Sequence, residues 1–165
     1  MTPEFASIYR TMMLESLARE MPVTRKVIAA IPDAKRDWKP DSKARSAWEL
    51  ARHLSGADVW FLNSIADLKF PQEEHFGEGK TPNELAGWYE KNMNAGMERV
   101  RKMTPQQLMT PVDFYGAYNL PAFAYLEFAL KHCAHHRGQL STYLRPMGSK
   151  VPSIYGGSAD EPWQG

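Results

Sequence analysis

Cysteine is nearly missing: Cys133 is the single one in 165 residues. One thiol excludes an internal disulfide and fits a reducing, cytoplasmic setting. An excess of charge of one sign is missing too. Twenty Lys and Arg against 19 Asp and Glu leave a formal +1, which provides no basic field for nucleic acid and no acidic tail. No apolar run approaches the roughly 18 residues that mark a membrane span. The start of the chain, with Glu4 and no apolar stretch, does not read as a secretory signal. What is present argues for order. Five tryptophans and an aromatic content of 12% speak against disorder, and the length fits one domain, 1–165, with its own hydrophobic core.

Helix punctuation divides the chain into four long segments. Thr2-Pro3 reads as a cap and first helical residue, followed by Phe5, Ile8, Met12, Leu17, Met21, Thr24, Val27, Ile28 and Ile31 at roughly helical spacing. Pro22 is expected to kink or interrupt that helix. Ser46-Ala47-Trp48-Glu49 is a capping box opening a helix to about Leu68. Its apolar stripe is Ala47, Leu50, Leu54, Phe61, Ile65 and Leu68. Thr81-Pro82-Asn83-Glu84 starts a third helix, to about Met103, with Leu85, Trp88, Tyr89, Met93 and Met97 inward. A short turn at Thr104–Gln107 and a hairpin-like excursion around Gly116 precede a fourth helix, Leu120 to Arg145. The last twenty residues read as irregular coil. Four long helices with this spacing predict an all-α four-helix bundle.

Chemistry concentrates between Lys131 and Tyr143, where three of the five histidines fall within five positions. His132 and His136 are four apart and share one helix face, so both imidazoles can reach one metal ion. A third ligand is needed from elsewhere, and His53 in the second helix is the best candidate. At about 100° per residue, His136 lies roughly 60° and His132 roughly 100° from the centre of the fourth helix's apolar stripe, on one shoulder. His135 falls nearly opposite, and Cys133 lies in the stripe, as core. His53 sits on a shoulder of its own helix by the same reckoning. Asp58 lies within an apolar stripe, which is odd for a carboxylate. It either partners the second nitrogen of a ligand histidine or caps a buried tyrosine or backbone group. His75, in a charged loop, reads as solvated. Arg137 and Arg145 offer charge for an anionic substrate, but arginines near a helix end need no such role.

His132 to Leu140, H-C-A-H-H-R-G-Q-L, resembles the H-x-x-H-H-R-G-Q signature of the DinB-like (YfiT-like) metal-binding proteins. Glu49-Leu50-Ala51-Arg52-His53-Leu54 resembles that family's E-L-x-x-H-[LI] segment, with Asp58 where an acidic residue is common. Ile31-Pro32-Asp33, Trp38-Lys39-Pro40 and Val151–Gly156 extend the likeness over nearly the whole chain, with Gly157 replacing an expected proline. The resemblance implies an up-up-down-down bundle with a long crossover, and a divalent metal, Zn2+ or Ni2+, on His53, His132 and His136.

The resemblance also implies a function. Members with known activity are thiol-dependent transferases or isomerases, so the expected reading is a metal-dependent S-transferase acting on a small-molecule thiol and an electrophile. The alternatives are a non-catalytic metal-binding or stress-response protein and, less favoured, a hydrolase. Cys133 stands where the zinc-hydrolase motif H-E-x-x-H has its glutamate. The resemblance, more than any residue, implies a homodimer; helices rich in Met and aromatics, in a chain of near-zero charge, could leave an apolar patch for it.

Overall fold

Local capping chemistry sets where the first three long helices begin. In the computed structural model, which describes residues 2–73 and 75–163, α1 (Pro3–Ala29) starts where Thr2 Oγ1 accepts the Phe5 N–H at 3.3 Å. The box at the start of α2 (Ala47–Asp67) is complete: Ser46 Oγ accepts the Glu49 N–H at 3.1 Å, and Glu49 Oε2 accepts the Ser46 N–H at 2.7 Å. Thr81 caps α3 (Pro82–Arg101), with Pro82 in its first turn. A second complete box, Thr104 with Gln107, opens the short α4 (Pro105–Met109).

The final helix differs from its expected start. Leu120 and Pro121 belong to β2 (Tyr118–Pro121), which pairs antiparallel with β1 (Pro111–Phe114), Val112 opposite Leu120. A 3-10 turn at Ala122–Ala124 then leads into α5 (Tyr125–Leu144). Tyr125 explains the change, because its hydroxyl donates to the Val112 carbonyl at 2.7 Å and accepts the Leu120 N–H at 3.2 Å. Those bonds tie Leu120 to the hairpin. The turn itself, Tyr115 and Gly116 at φ 55 and 71, lies where the glycine predicted it.

Helix α1 also departs from expectation in two respects. Of the two effects expected of Pro22, interruption does not occur: the helix continues through it from Pro3 to Ala29. Its buried face is Ala6, Leu14, Leu17, Thr24, Val27 and Ile28, whereas Phe5, Ile8 and Met12 are exposed at 45%, 62% and 56%.

Pairs of side chains fix the helix directions. Arg25 pairs with Glu90, and Arg10 donates to the Met103 carbonyl, so α1 and α3 are antiparallel. Asp58 meets Tyr89, and Asp67 meets Arg99, so α2 and α3 are parallel. His53 meets His136, and Phe70 packs on Tyr125, so α2 and α5 are antiparallel. The bundle is therefore up-down-down-up, which corrects the up-up-down-down order. The connection over 30–46 reverses the chain at one end of the bundle, with Trp48 N–H on the Arg36 carbonyl at 2.8 Å. The long crossover is real and spans 68–81, between the parallel pair.

That crossover runs back along α2. Gly77 N–H donates to the Arg52 carbonyl at 2.8 Å, and a Cβ on Gly56 would lie 2.2 Å from the His75 carbonyl oxygen. The core between the helices is Leu14, Leu17, Ile28, Leu50, Leu54, Leu62, Ile65, Leu85, Met93, Leu126, Leu140 and Leu144, all essentially inaccessible. Beyond α5 the described tail has no helix or strand, as expected. Arg145 to Asp160 and Ser149 to the Ala30 carbonyl, at 2.7 and 2.6 Å, anchor it. Among the described residues no helix is long and apolar enough to cross a membrane.

Candidate metal centre

The capping box at Ser46 starts α2 ahead of His53, and burial of Leu50, Leu54, Phe61 and Ile65 turns the helix so that His53 faces α5, where His132 and His136 stand one turn apart. The three rings meet. His53 Nε2 lies 3.3 Å from His132 Nε2 and 3.3 Å from His136 Nε2, and the three candidate ligand nitrogens all fall within 4.8 Å of one another. A tetrahedral zinc ion about 2.05 Å from each nitrogen sets them about 3.3 Å apart. The donor set therefore fits such an ion.

Hydrogen bonding at the other ring nitrogens leaves lone pairs where an ion needs them. His132 Nδ1–H donates to Asp58 Oδ1 at 2.8 Å, and His136 Nδ1–H donates to Gln139 Oε1 at 3.2 Å. In the neutral ring each bond places the proton on Nδ1 and leaves Nε2 as the lone-pair nitrogen, facing the shared point. His53 Nε2 carries at most one proton and faces two such lone pairs. Three nitrogens converging with too few protons between them is the electrostatics of a cation site.

Charge on the rings is disfavoured as well. Burial, followed by the Arg45 guanidinium and the other two imidazoles, lowers His53 from 6.5 to about 4. Burial and then His132 lower His136 from 6.5 to about 4. Both are neutral at pH 7, the form that ligates metal.

Asp58 satisfies both readings the sequence left open. It is 1% exposed, takes the His132 proton donor on Oδ1 and the Tyr89 hydroxyl on Oδ2 at 3.0 Å. His135 is exposed, and its ring makes an edge contact with His136 without joining the cluster. Cys133 is buried core, as the wheel placed it, and burial raises its thiol pKa further above the ordinary value. Arg137 is also buried, ion-paired with Glu20, and Arg145 is paired with Asp160; both are engaged within the protein. His75 corrects its reading as solvated. It is half-buried and stacked on Trp60 at 5.9 Å, with Nε2 sealed from solvent.

Beside the cluster is a cleft of about 220 Å³ lined by His53 together with Arg45, Trp60, His75, Phe76 and Tyr115. Sequence reasoning missed three of the residues that matter here. Gln139 carried a signal, three positions after His136 on the same helix face. Tyr89 read simply as core. Arg45 precedes a cap, and only the fold brings it near His53.

A helical bundle with three imidazoles converging on one point, beside an open cleft, defines a class of protein able to hold a metal ion. The chain belongs to the DinB family, whose model matches residues 5–164. It is similar to the uncharacterized protein YrdA of Bacillus subtilis, 27% identical over 150 residues, covering 90% of this chain and 89% of that protein. YjoA of the same organism is 30% identical over 137 residues, covering 81% and 87%. Among solved structures, a DinB-like protein from Bacillus cereus superposes with a TM-score of 0.73 at 26% identity, covering 87% of this chain and 95% of that one. The crystal structure of YjoA gives 0.72 at 24%, covering 87% and 97%, which bears on the fold alone.

Proposed function

We propose that the protein is a divalent-metal-dependent enzyme in which His53, His132 and His136 hold Zn2+ or Ni2+, and that it transfers a small-molecule thiol to an electrophile. The observation that carries this reading is that His53 belongs to the cluster and also lines the cleft. A ligand held in the cleft therefore lies against one of the three clustered imidazoles. When bound, a divalent ion on three neutral imidazoles keeps its full charge and a free position, and brings a thiol's pKa toward neutrality.

The chain's own residues do the rest. Asp58 and Gln139 hold two imidazoles in the ligating tautomer. Trp60, Phe76 and Tyr115 give the cleft apolar walls for an electrophile, and Arg45 adds positive charge at its edge. Cys133 is sealed in the core, so the thiol must come from outside. In the net reaction the thiol S–H bond breaks and a sulfur–carbon bond forms; the proton ends on the electrophile where the thiol adds across its double bond, or departs with the displaced group where the thiol substitutes.

The test is metal analysis of the isolated protein, then titration of the Co2+ form with biological thiols. A change in the visible spectrum as sulfur enters the coordination shell, followed by thiol consumption with an electrophile, supports the transferase. Bound metal with no response to any thiol leaves a non-catalytic metal-binding protein.

Self-association is part of the same proposal. Phe5, Ile8 and Met12 form an exposed apolar stripe on α1, which suits a second copy of the chain. Light scattering at micromolar concentration should give twice the 18.8 kDa chain mass, and Ile8→Glu should halve the observed value.

A further inference from the structure

Asp58 is held from two sides. The side away from His132 is a Tyr89 hydroxyl that is wholly buried on α3. Tyr89 Oη also lies 3.8 Å from Cys133 Sγ, which lies 3.2 Å from Thr24 Oγ1 on α1. Thr24 accepts from Arg137 Nη1 at 3.2 Å. Arg137 is fully buried, ion-paired with Glu20, and donates to the Tyr155 hydroxyl of the C-terminal tail at 2.5 Å. Neutral groups from α1, α5 and α3 thus bridge a buried guanidinium and a buried carboxylate.

The ends of this chain dictate its direction. A guanidinium has only donors, and an ionised carboxylate only acceptors. Thr24 therefore accepts at one end and Tyr89 donates at the other. The arrangement that satisfies every member runs Thr24 to Cys133 to Tyr89 to Asp58. Burial raises the Tyr89 phenol above its ordinary value, with Asp58 adding to it, so Tyr89 keeps the proton that it donates to Asp58. Members of such a network polarise one another in a low-dielectric interior.

We propose that Tyr89 is a positioning residue for the three-histidine centre, acting through Asp58. With Oδ2 tied to Tyr89, the carboxylate cannot rotate away, and Oδ1 stays on His132 Nδ1–H. The His132 ring is then locked with Nε2 toward His53 and His136. This inference rests on the reading of those three residues as metal ligands. It adds a third helix, α3, to the α2 and α5 that carry the ligands.

Tyr89→Phe keeps the ring and removes only the hydroxyl. Zn2+ affinity should fall about 10–100-fold, the usual effect of losing a ligand's supporting partner. It should fall no further when Tyr89→Phe is added to Asp58→Asn, because both changes act through one carboxylate. A purely structural tyrosine would show independent, additive losses. Nitrogen-15 NMR of His132 in the metal-free protein should show the Nδ1–H tautomer in wild type and a mixture in Tyr89→Phe. Equal Zn2+ affinity in Tyr89→Phe, additive losses in the double variant, or a wild-type His132 protonated on Nε2 would overturn the positioning role. Wild type that takes up no metal would overturn the centre itself, and the positioning role with it.

Discussion

Asp58 Oδ1 lies 2.8 Å from His132 Nδ1, joining residues 74 apart in the chain. That bond explains a carboxylate in an apolar stripe at 1% exposure. A buried charge needs hydrogen-bond partners, and Asp58 has two donors, the imidazole and the Tyr89 hydroxyl. The bond also selects the tautomer whose free nitrogen faces the cluster. A feature of the core is thereby part of the site.

Asp58→Asn keeps the shape but removes the charge and one acceptor. Metal affinity should drop about 10–100-fold, read by competition with a chelating dye. Helical circular dichroism should hardly change, since asparagine matches aspartate in shape and its carbonyl oxygen still accepts from one of the two donors. Wild-type affinity in this variant would show that the carboxylate plays no part in metal binding.

His132→Ala and His135→Ala make a matched pair on one turn. The first removes a nitrogen from the cluster and should reduce metal per chain to a small fraction of wild type. The second removes an exposed ring outside the cluster and should leave occupancy nearly unchanged. Equal losses in both, measured by elemental analysis, would mean that the cluster is not the binding site.

The pair also shows what was legible from the chain. Helical spacing put His132 and His136 on one face and His135 away from it, and the caps at Ser46, Thr81 and Thr104 are short-range chemistry readable from a few letters. Helix direction was not readable, because it depends on pairs such as Arg25–Glu90 and Asp67–Arg99, which no local pattern encodes. Phe5, Ile8 and Met12 obey helical spacing and yet face outward, since periodicity finds a stripe without saying what covers it. Leu120 reads as helix until the Tyr125 hydroxyl, from the helix itself, claims its N–H. His75 reads as solvated until the crossover stacks it on Trp60.

Acid should destabilise the metal-free protein in a defined window. His53 and His136 are held at about 4 in the folded state against an ordinary 6.5. Between those values the unfolded chain binds more protons than the folded one, so stability rises with pH. The contribution is fully present above pH 6.5 and is lost as pH falls toward 4. Thermal unfolding of the metal-free protein should show a Tm that is flat above about 6.5 and falling below it. A variant with His53→Ala and His136→Ala should lose much of that slope. An unchanged slope would assign the acid sensitivity to other groups.

Gly56 offers a test of how the crossover shapes the cleft. An added Cβ would sit 2.2 Å from the His75 carbonyl oxygen and 2.6 Å from the Gly77 nitrogen. Both are backbone atoms, so no side-chain rotation relieves the clash. Replacing a helical glycine by alanine ordinarily gains about 1 kcal/mol, whereas overpacking of this kind costs about 1–3 kcal/mol; at so short a distance the clash wins. Gly56→Ala should force the crossover off α2, break the bond from Gly77 N–H to the Arg52 carbonyl and lower the Tm. The same displacement moves His75 and Phe76, which wall the cleft beside His53, so thiol access to the Co2+ form should change as well. Gly87→Ala, exposed on α3 with nothing within 4 Å of its added carbon, serves as the control and should raise the Tm. If Gly56→Ala is as stable as Gly87→Ala, the close packing of the crossover on α2 is not what holds that wall in place.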